Sequence, residues 1–90
     1  MKLHAIVKGR VQGVGFRFWA QRHAGELGLD GWVKNLPDRA VEVTAFGPPG
    51  VLDEFEQLLR QGPPGAYVQS VAATRSEGAG DGEGFRIECG

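Results

Sequence analysis

The spacing of apolar residues changes several times along the chain, and each spacing predicts one element. Residues 2–8 alternate between two partly apolar faces, which predicts a central strand. Over residues 16–27 the spacing becomes that of one α-helical stripe: Phe16, Ala20, His23, Ala24 and Leu27. Gly28 follows at the place where a glycine commonly ends a helix. The chain therefore begins with a strand followed by a helix.

The remaining residues predict two strands, a second helix and two more strands. Residues 32–36 and 41–46 are rich in β-branched and aromatic residues, and the connection between them is short enough for a hairpin. A second helical stripe lies between two segments that contain Pro and Gly: Val51, Leu52, Phe55, Leu58 and Leu59. Residues 67–74 predict a strand, the glycine-rich residues 77–84 a flexible turn, and residues 85–88 a short terminal strand.

This order, β-α-β-β-α-β with a possible short fifth strand, predicts an α+β protein with the ferredoxin-like sandwich fold. Right-handed crossovers that leave room for an intervening strand give an antiparallel sheet with two helices on one face. A chain of 90 residues is enough for one domain with a modest core, so we expect a single domain spanning residues 1–90. The fold alone does not predict a function, because it occurs in metal carriers, RNA binders, regulators and enzymes.

The composition predicts a protein of the cytoplasm. Apolar residues make up 41% and charged residues 23% of the chain, which is ordinary for a soluble globular fold. No window is long and apolar enough for a membrane span, and no signal peptide precedes the first strand. The single cysteine, Cys89, can form neither an internal disulfide nor, alone, a zinc site. A net charge of −1 argues against a dedicated nucleic-acid binder.

Positive and negative charges are unevenly distributed between the two halves of the chain. Residues 1–39 hold seven Lys/Arg against three Asp/Glu, a balance of +4, whereas residues 40–90 hold three against eight, a balance of −5. A positive first half suits a small anionic substrate, which its field would attract. Ordinary variation of surface charge accounts for the asymmetry equally well.

The segment Gly9–Arg17 joins the first strand to the first helix and contains the residues that most clearly indicate a chemical function. Its glycines, at positions 9, 13 and 15, form a loop that opens the helix. Such a loop can aim several backbone N–H groups at one point, where the helix macrodipole also favours negative charge. Arg17 adds a planar guanidinium that can grip a phosphate through two parallel hydrogen bonds. The segment therefore predicts a pocket for a small oxyanion such as a phosphoryl group.

Asn35, the only asparagine in the chain, is the candidate for holding a water molecule. Its side-chain carbonyl can accept a hydrogen bond from water while its amide donates to a phosphoryl oxygen. In a split β-α-β unit, the start of the first helix and the end of the second strand can lie at the same edge of the sheet. Alternatively, Asn35 only suits the backbone geometry at the entry to a hairpin.

These residues form two motifs that resemble the signatures of the acylphosphatase family. The first is Gly9-x-Val11-Gln12-Gly13-Val14-x-Phe16-Arg17, and the second is Gly31-Trp32-Val33-Lys34-Asn35. The resemblance extends over nearly the whole chain. It implies a metal-free hydrolase without cofactor that cleaves small acyl phosphates into a carboxylate and inorganic phosphate. We expect inorganic phosphate or similar anions to bind as product or inhibitor. From the charge and composition given above, we expect neither nucleic acid nor a membrane as a partner. We expect a monomer.

The resemblance also implies a role for each motif residue. Arg17 would bind the substrate phosphate, and Asn35 would orient the attacking water. The phosphate would be held by the backbone amides of the loop residues Gln12, Gly13, Val14, Gly15 and Phe16. One position departs from the family pattern, because Arg39 stands where the family usually has a glycine. Either Arg39 adopts a positive φ at a cost of roughly 1 kcal/mol, or the hairpin uses a different turn led by Pro37.

Two other classes of function remain as alternatives. A phosphate-binding module without turnover would retain Arg17 and the loop but would have no use for Asn35 as a holder of water. An RNA-recognition domain of the same fold would need exposed aromatic residues on the central strands, where Phe46 is the one candidate, and a basic sheet face. The histidines His4 and His23 are interpreted as packed side chains.

Overall fold

The computed structural model describes residues 1–89, which form five strands and two helices. In chain order these elements are β1 (Lys2–Arg10), α1 (Phe16–Glu26), β2 (Asp30–Asn35), β3 (Val41–Phe46), α2 (Pro49–Gln61), β4 (Tyr67–Ser76) and β5 (Phe85–Glu88). Every predicted element is present, and the bounds differ from the predicted ones by a few residues. Neither helix within residues 1–89 is long and apolar enough to cross a membrane.

The strands form one sheet in the order β4-β1-β3-β2-β5, with two helices packed on it. β1 and β2 are each antiparallel to β3, which lies between them, and β4 is antiparallel to β1. This arrangement confirms the predicted ferredoxin-like fold, including its fifth strand. The prediction of an antiparallel sheet is wrong in one respect, because β5 pairs in parallel with β2 and the sheet is mixed.

The parallel pairing of β5 follows from where the glycine-rich connection after β4 is anchored. The Asp30 carboxylate, at the start of β2, accepts hydrogen bonds from the backbone N–H groups of Gly82 and Gly84, at 3.1 and 3.0 Å. The N–H of Gly31 also donates to the carbonyl of Gly84, at 3.1 Å. Because these bonds hold the connection beside the beginning of β2, β5 starts there and runs in the same direction. The predicted flexible turn is thus tied to the sheet.

The core lies between the sheet and the helices, and alternation along the strands determines which residues enter it. Leu3, Ala5 and Val7 of β1 are fully buried on the helix side. The helices bury the stripes that their spacing predicts: Phe16, Ala20 and Ala24 from α1, and Leu52, Phe55 and Leu59 from α2. His23, predicted within the first stripe, is only half-buried, and its ring packs against Trp19 with centroids 4.9 Å apart.

Two strand ends lie at the edge of the sheet that carries the predicted site residues. β1 continues to Arg10, two residues beyond the predicted end, after an irregularity in its pairing with β4 at Lys8 and Gly9. β2 ends at Asn35 rather than at Leu36. Asn35 pairs with Val41, the first residue of β3. The ends of β1 and β2, the starts of β3 and β4, and the Gly-rich loop before α1 therefore lie at one edge.

Candidate active site

The loop between β1 and α1 is anchored in the core at both of its ends. Val11 and Phe16 are 1% and 2% exposed, and between them the chain runs along the surface. Phe16 also packs against Trp19, one helical turn later, with ring centroids 5.4 Å apart. Burial of these two apolar side chains fixes where the loop leaves the sheet and where the helix begins.

The backbone of the loop turns its N–H groups outward. Gly13 and Gly15 have φ values of 76° and 77°, whereas the residues between and beside them are not in the left-handed region. Left-handed residues that alternate with ordinary ones bring successive N–H groups toward one side and create a concave site for an anion. Within residues 1–89, the N–H groups of residues 12–16 donate to no other protein group. They are free to donate to a ligand.

The N-terminus of α1 adds its own positive potential to that of the loop N–H groups. Gly15 is its N-cap residue and supplies no capping side chain, and the first helical turn contains no acidic residue. A helix start of this kind leaves its first N–H groups and the positive end of the macrodipole to an external anion.

A depression of about 120 Å³ brings the two predicted catalytic side chains together. Arg17 and Asn35 both line it, with Phe18 and loop residues that include Gln12, Gly13, Gly15 and Phe16. Four of the five predicted amide-bearing residues thus border the depression. Val14 does not line it, since its side chain packs against the core.

Asn35 and its neighbour Lys34 point to opposite faces of the sheet. Val33 is buried on the helix side, so Asn35, two residues later, lies on that same side. Lys34 lies on the open face, where its Nζ is 3.6 Å from Glu42 Oε1. Within residues 1–89 the Asn35 side chain forms no hydrogen bond with another protein group, so both ends of its amide are available to ligand and water.

The open face carries a charged cluster that is separate from the depression. His4 Nε2 lies 2.8 Å from Glu42 Oε2, and this hydrogen bond holds the pKa of Glu42 below its ordinary value, assisted by Lys34. Residues 1–89 contain no group of three or more His, Cys, Asp or Glu side chains that could hold a metal ion.

The side chain of Gln12 has a role that the sequence did not predict. Its Nε2 donates to the carbonyl oxygens of Leu36 and Ala40, both at 2.9 Å. These two carbonyls belong to the β2–β3 hairpin, and Leu36 directly follows Asn35 in the chain. Gln12 therefore ties the Gly-rich loop to the segment that carries Asn35. The sequence feature that points to this role is a polar amide side chain among glycine and valine residues.

Phe18 is the second residue of the depression that sequence reasoning left without a function. It is 69% exposed, although it is large and apolar. The sequence places Phe18 off the core-facing stripe of α1 and favours packing at an end of the sheet, whereas in the structure it is exposed and lines the depression. An apolar ring beside Arg17 offers a surface for the organic part of a substrate.

The hairpin combines the two turn geometries that the sequence left as alternatives. Pro37 leads the turn, and the N–H of Arg39 donates to the carbonyl of Leu36 at 3.2 Å. Arg39 itself has a φ of 75°, and the N–H of Leu36 donates to the carbonyl of Ala40 at 2.9 Å. This is a type I turn followed by a left-handed residue at a bulge. Arg39 occupies that position at a cost of roughly 1 kcal/mol relative to a glycine.

Comparison with known proteins links this geometry to one family. The acylphosphatase family model matches residues 3–87. An acylphosphatase of Thermus thermophilus is 53% identical over 86 residues, covering 96% of this chain and 97% of that protein. One of Caldivirga maquilingensis is 47% identical over 88 residues, covering 97% of this chain and 93% of that protein. The crystal structure of acylphosphatase from Bacillus subtilis superposes with a TM-score of 0.92 at 39% identity, covering 97% of each chain. The chain therefore belongs to the acylphosphatase family and is an enzyme that acts on small acyl phosphates.

Proposed function

We propose that the depression at the start of α1 binds the phosphoryl group of an acyl phosphate and that Asn35 holds the water that hydrolyses it. The observation that carries this proposal is the meeting of Arg17, the loop and Asn35 around one small depression. Arg17 and the loop can hold the phosphoryl group, and Asn35 supplies a free amide beside it.

Phosphoryl binding rests on the loop N–H groups and on the guanidinium of Arg17. The N–H groups of residues 12–16 have no other acceptor within residues 1–89, and the helix dipole points its positive end the same way. Arg17 is half-buried, which strengthens its hydrogen bonds to an anion relative to those of a fully exposed side chain. Donors that are already in place stabilise the charge that shifts among the phosphoryl oxygens in the transition state.

The chemical step is attack of water on phosphorus. The water oxygen forms a bond to phosphorus while the bond from phosphorus to the acyl oxygen breaks, and the bonding pair leaves with the carboxylate. The side-chain carbonyl of Asn35 accepts a hydrogen bond from the water and holds it in line, so its contribution is orientation. The proton of the water passes to a phosphoryl oxygen, because a carboxylate leaving group needs none.

The same site binds the product of the reaction. Inorganic phosphate has the charge and shape of the bound phosphoryl group, so it binds the loop and competes with substrate.

We further propose that the protein acts as a monomer in the cytoplasm. Sedimentation equilibrium across a range of concentrations tests the monomer, and fractionation of the source cells tests the location.

Hydrolysis of benzoyl phosphate by the purified protein in the presence of EDTA tests the proposed function. We expect release of benzoate and inorganic phosphate, with inhibition by added phosphate that is competitive with substrate. Binding of phosphate without turnover would favour a binding module instead. Activity that is lost to EDTA and restored by a divalent cation would contradict the metal-free mechanism.

Substitution of Gly15 by alanine is expected to lower kcat/KM by roughly tenfold or more, since misplaced donors stabilise the transition state poorly. A Cβ at Gly15 would meet no atom within 4 Å, so the damage comes from the unfavourable positive φ and the reshaped loop. Gly28, at the other end of α1, offers a matched control with a φ of 71° and equally open surroundings. Gly28→Ala carries similar strain and should lower the melting temperature about as much while retaining activity. Equal loss of activity in the two variants would contradict a specific role for the loop.

Substitution of Gln12 by alanine is expected to lower kcat by roughly tenfold, because it removes both hydrogen bonds between the loop and the hairpin. Gln12→Glu is the sharper variant, since a carboxylate of the same size cannot donate and would face two carbonyl oxygens. We expect it to be the more damaging of the two. Steady-state kinetics together with phosphate titration checks this role. A Gln12→Glu enzyme with normal kcat would refute it.

A further inference from the structure

A second and larger cleft adjoins the catalytic depression and shares loop residues with it. It has a volume of about 560 Å³ and is lined by Gly9, Arg10 and Arg39 together with Val11–Gly13. Residues Val11–Gly13 line the catalytic depression as well, so the loop is a wall common to both. A further hollow of about 490 Å³ continues outward from Arg10 and Arg39 to Lys8.

The cations around these hollows lack acidic partners. Of the ten Lys and Arg residues in the chain, four form ion pairs within residues 1–89: Lys34, Arg60, Arg75 and Arg86. Of the other six, four line the catalytic depression or the hollows beside it: Lys8, Arg10, Arg17 and Arg39. Among residues 1–89, the one acidic residue that lines these hollows is Asp38, whose Oδ1 accepts a hydrogen bond from the N–H of Ala40 at 3.1 Å. The edge therefore carries a concentrated positive charge.

Arg39 stands at this edge despite the strain of its backbone. Its φ of 75° lies in a region that an L residue occupies at a cost and glycine occupies freely. Strained residues concentrate at sites where their position serves function. Arg39 lines both outer hollows together with Arg10.

We propose that Arg10 and Arg39 form a second anion subsite, which binds an oxyanion carried on the acyl part of the substrate. The proposal rests on the proposed function, because the subsite is reached across the loop that would hold the phosphoryl group. A substrate whose acyl group ends in a carboxylate or phosphate spans from the loop to this pair, where two guanidinium groups donate charge-assisted hydrogen bonds. Acyl phosphates with an uncharged acyl group leave the pair without a ligand and are the poorer substrates.

The test compares benzoyl phosphate with para-carboxybenzoyl phosphate, which differs by one carboxylate remote from the reacting bond. We expect the wild-type enzyme to prefer the carboxylated compound in kcat/KM. Arg10→Gln combined with Arg39→Ala should lower kcat/KM for that compound roughly tenfold further than for benzoyl phosphate. Arg22→Gln is the matched control, because Arg22 is an exposed cation that lines none of the three hollows. It should leave the preference unchanged.

Equal losses for both substrates in the double variant would overturn the proposal, since they would mean that the two arginines act only through the general potential of the surface. An unchanged preference would overturn it as well. Calorimetric titration with phenylphosphonate and para-carboxyphenylphosphonate gives a second readout that needs no turnover. If wild-type protein hydrolyses neither acyl phosphate, the proposed function fails, while tighter binding of the carboxylated phosphonate, lost in the double variant, still supports the subsite.

Two substitutions at position 39 separate the charge from the backbone strain. Arg39→Gly removes both, and Arg39→Ala removes the guanidinium while keeping a Cβ at positive φ. Both should lose the preference for the carboxylated substrate to the same extent. Only Arg39→Gly should raise the melting temperature, by roughly 4 °C. If the preference for the carboxylated substrate changed with the melting temperature rather than with the charge at position 39, this result would contradict the role assigned to the guanidinium.

Discussion

Replacement of Arg17 by alanine is expected to remove measurable phosphate binding and to lower kcat/KM by roughly 10²–10³-fold or more. Among residues 1–89, Arg17 is the one Lys or Arg residue that lines the depression proposed as the active site. Its loss leaves the phosphoryl group with backbone donors alone, in both the ground state and the transition state. Binding and turnover should therefore fall together.

The Arg17→Lys variant distinguishes the contribution of the positive charge at position 17 from that of the planar shape of the guanidinium. Lysine keeps the positive charge but lacks the planar fork that grips two oxygens, so we expect it to restore part of the phosphate affinity and little of kcat. Arg22→Ala, on the same helix, serves as the control for loss of an exposed cation. Wild-type phosphate affinity in Arg17→Ala, measured by calorimetric titration, would exclude Arg17 from the binding site.

Replacement of Asn35 by alanine is expected to lower kcat by about 10²-fold or more while phosphate affinity changes little. In the proposed mechanism its amide serves the water, whereas the loop N–H groups, which have no other acceptor within residues 1–89, would still hold the phosphoryl group. An interaction made mainly in the transition state produces this division between kcat and ground-state binding. Steady-state kinetics with benzoyl phosphate, paired with phosphate titration, measures both.

Lys34→Ala is the matched control for Asn35→Ala, because Lys34 is the adjacent residue on the opposite face and pairs with Glu42 there. It should keep kcat near that of the wild type. Equal loss of phosphate affinity in Asn35→Ala and Arg17→Ala would refute the division of roles between the two side chains. Rapid hydrolysis of benzoyl phosphate by Asn35→Ala would remove Asn35 from the mechanism altogether.

The features of the fold and site that could be predicted from sequence are those that depend on local pattern. The helical stripes identified the core-facing residues of the two helices, and the order of elements then placed the loop and the end of β2 at one edge. Phe16 is buried because it belongs to the first helical stripe. Arg17 and Asn35 could be picked out because few residue types serve phosphate binding and water positioning.

The parts that could not be predicted depend on contacts between distant residues. Gln12 donates to carbonyls 24 and 28 positions away, and any polar residue in the loop would have looked the same from sequence. The parallel pairing of β5 depends on hydrogen bonds from Gly82 and Gly84 to Asp30. The cluster of unpaired cations arises only once the end of β1 and the β2–β3 hairpin lie side by side. No periodicity in the chain carries that information.

Hydrolysis of benzoyl phosphate in water enriched with oxygen-18 tests the central claim most directly, since the label shows which atom the water attacks. If the loop holds the phosphoryl group and Asn35 aligns water with it, the bond broken is the one between phosphorus and the acyl oxygen. Mass spectrometry should then find one labelled oxygen in the inorganic phosphate and none in the benzoate. Label in the benzoate would show attack at the carbonyl carbon and would contradict the site described above.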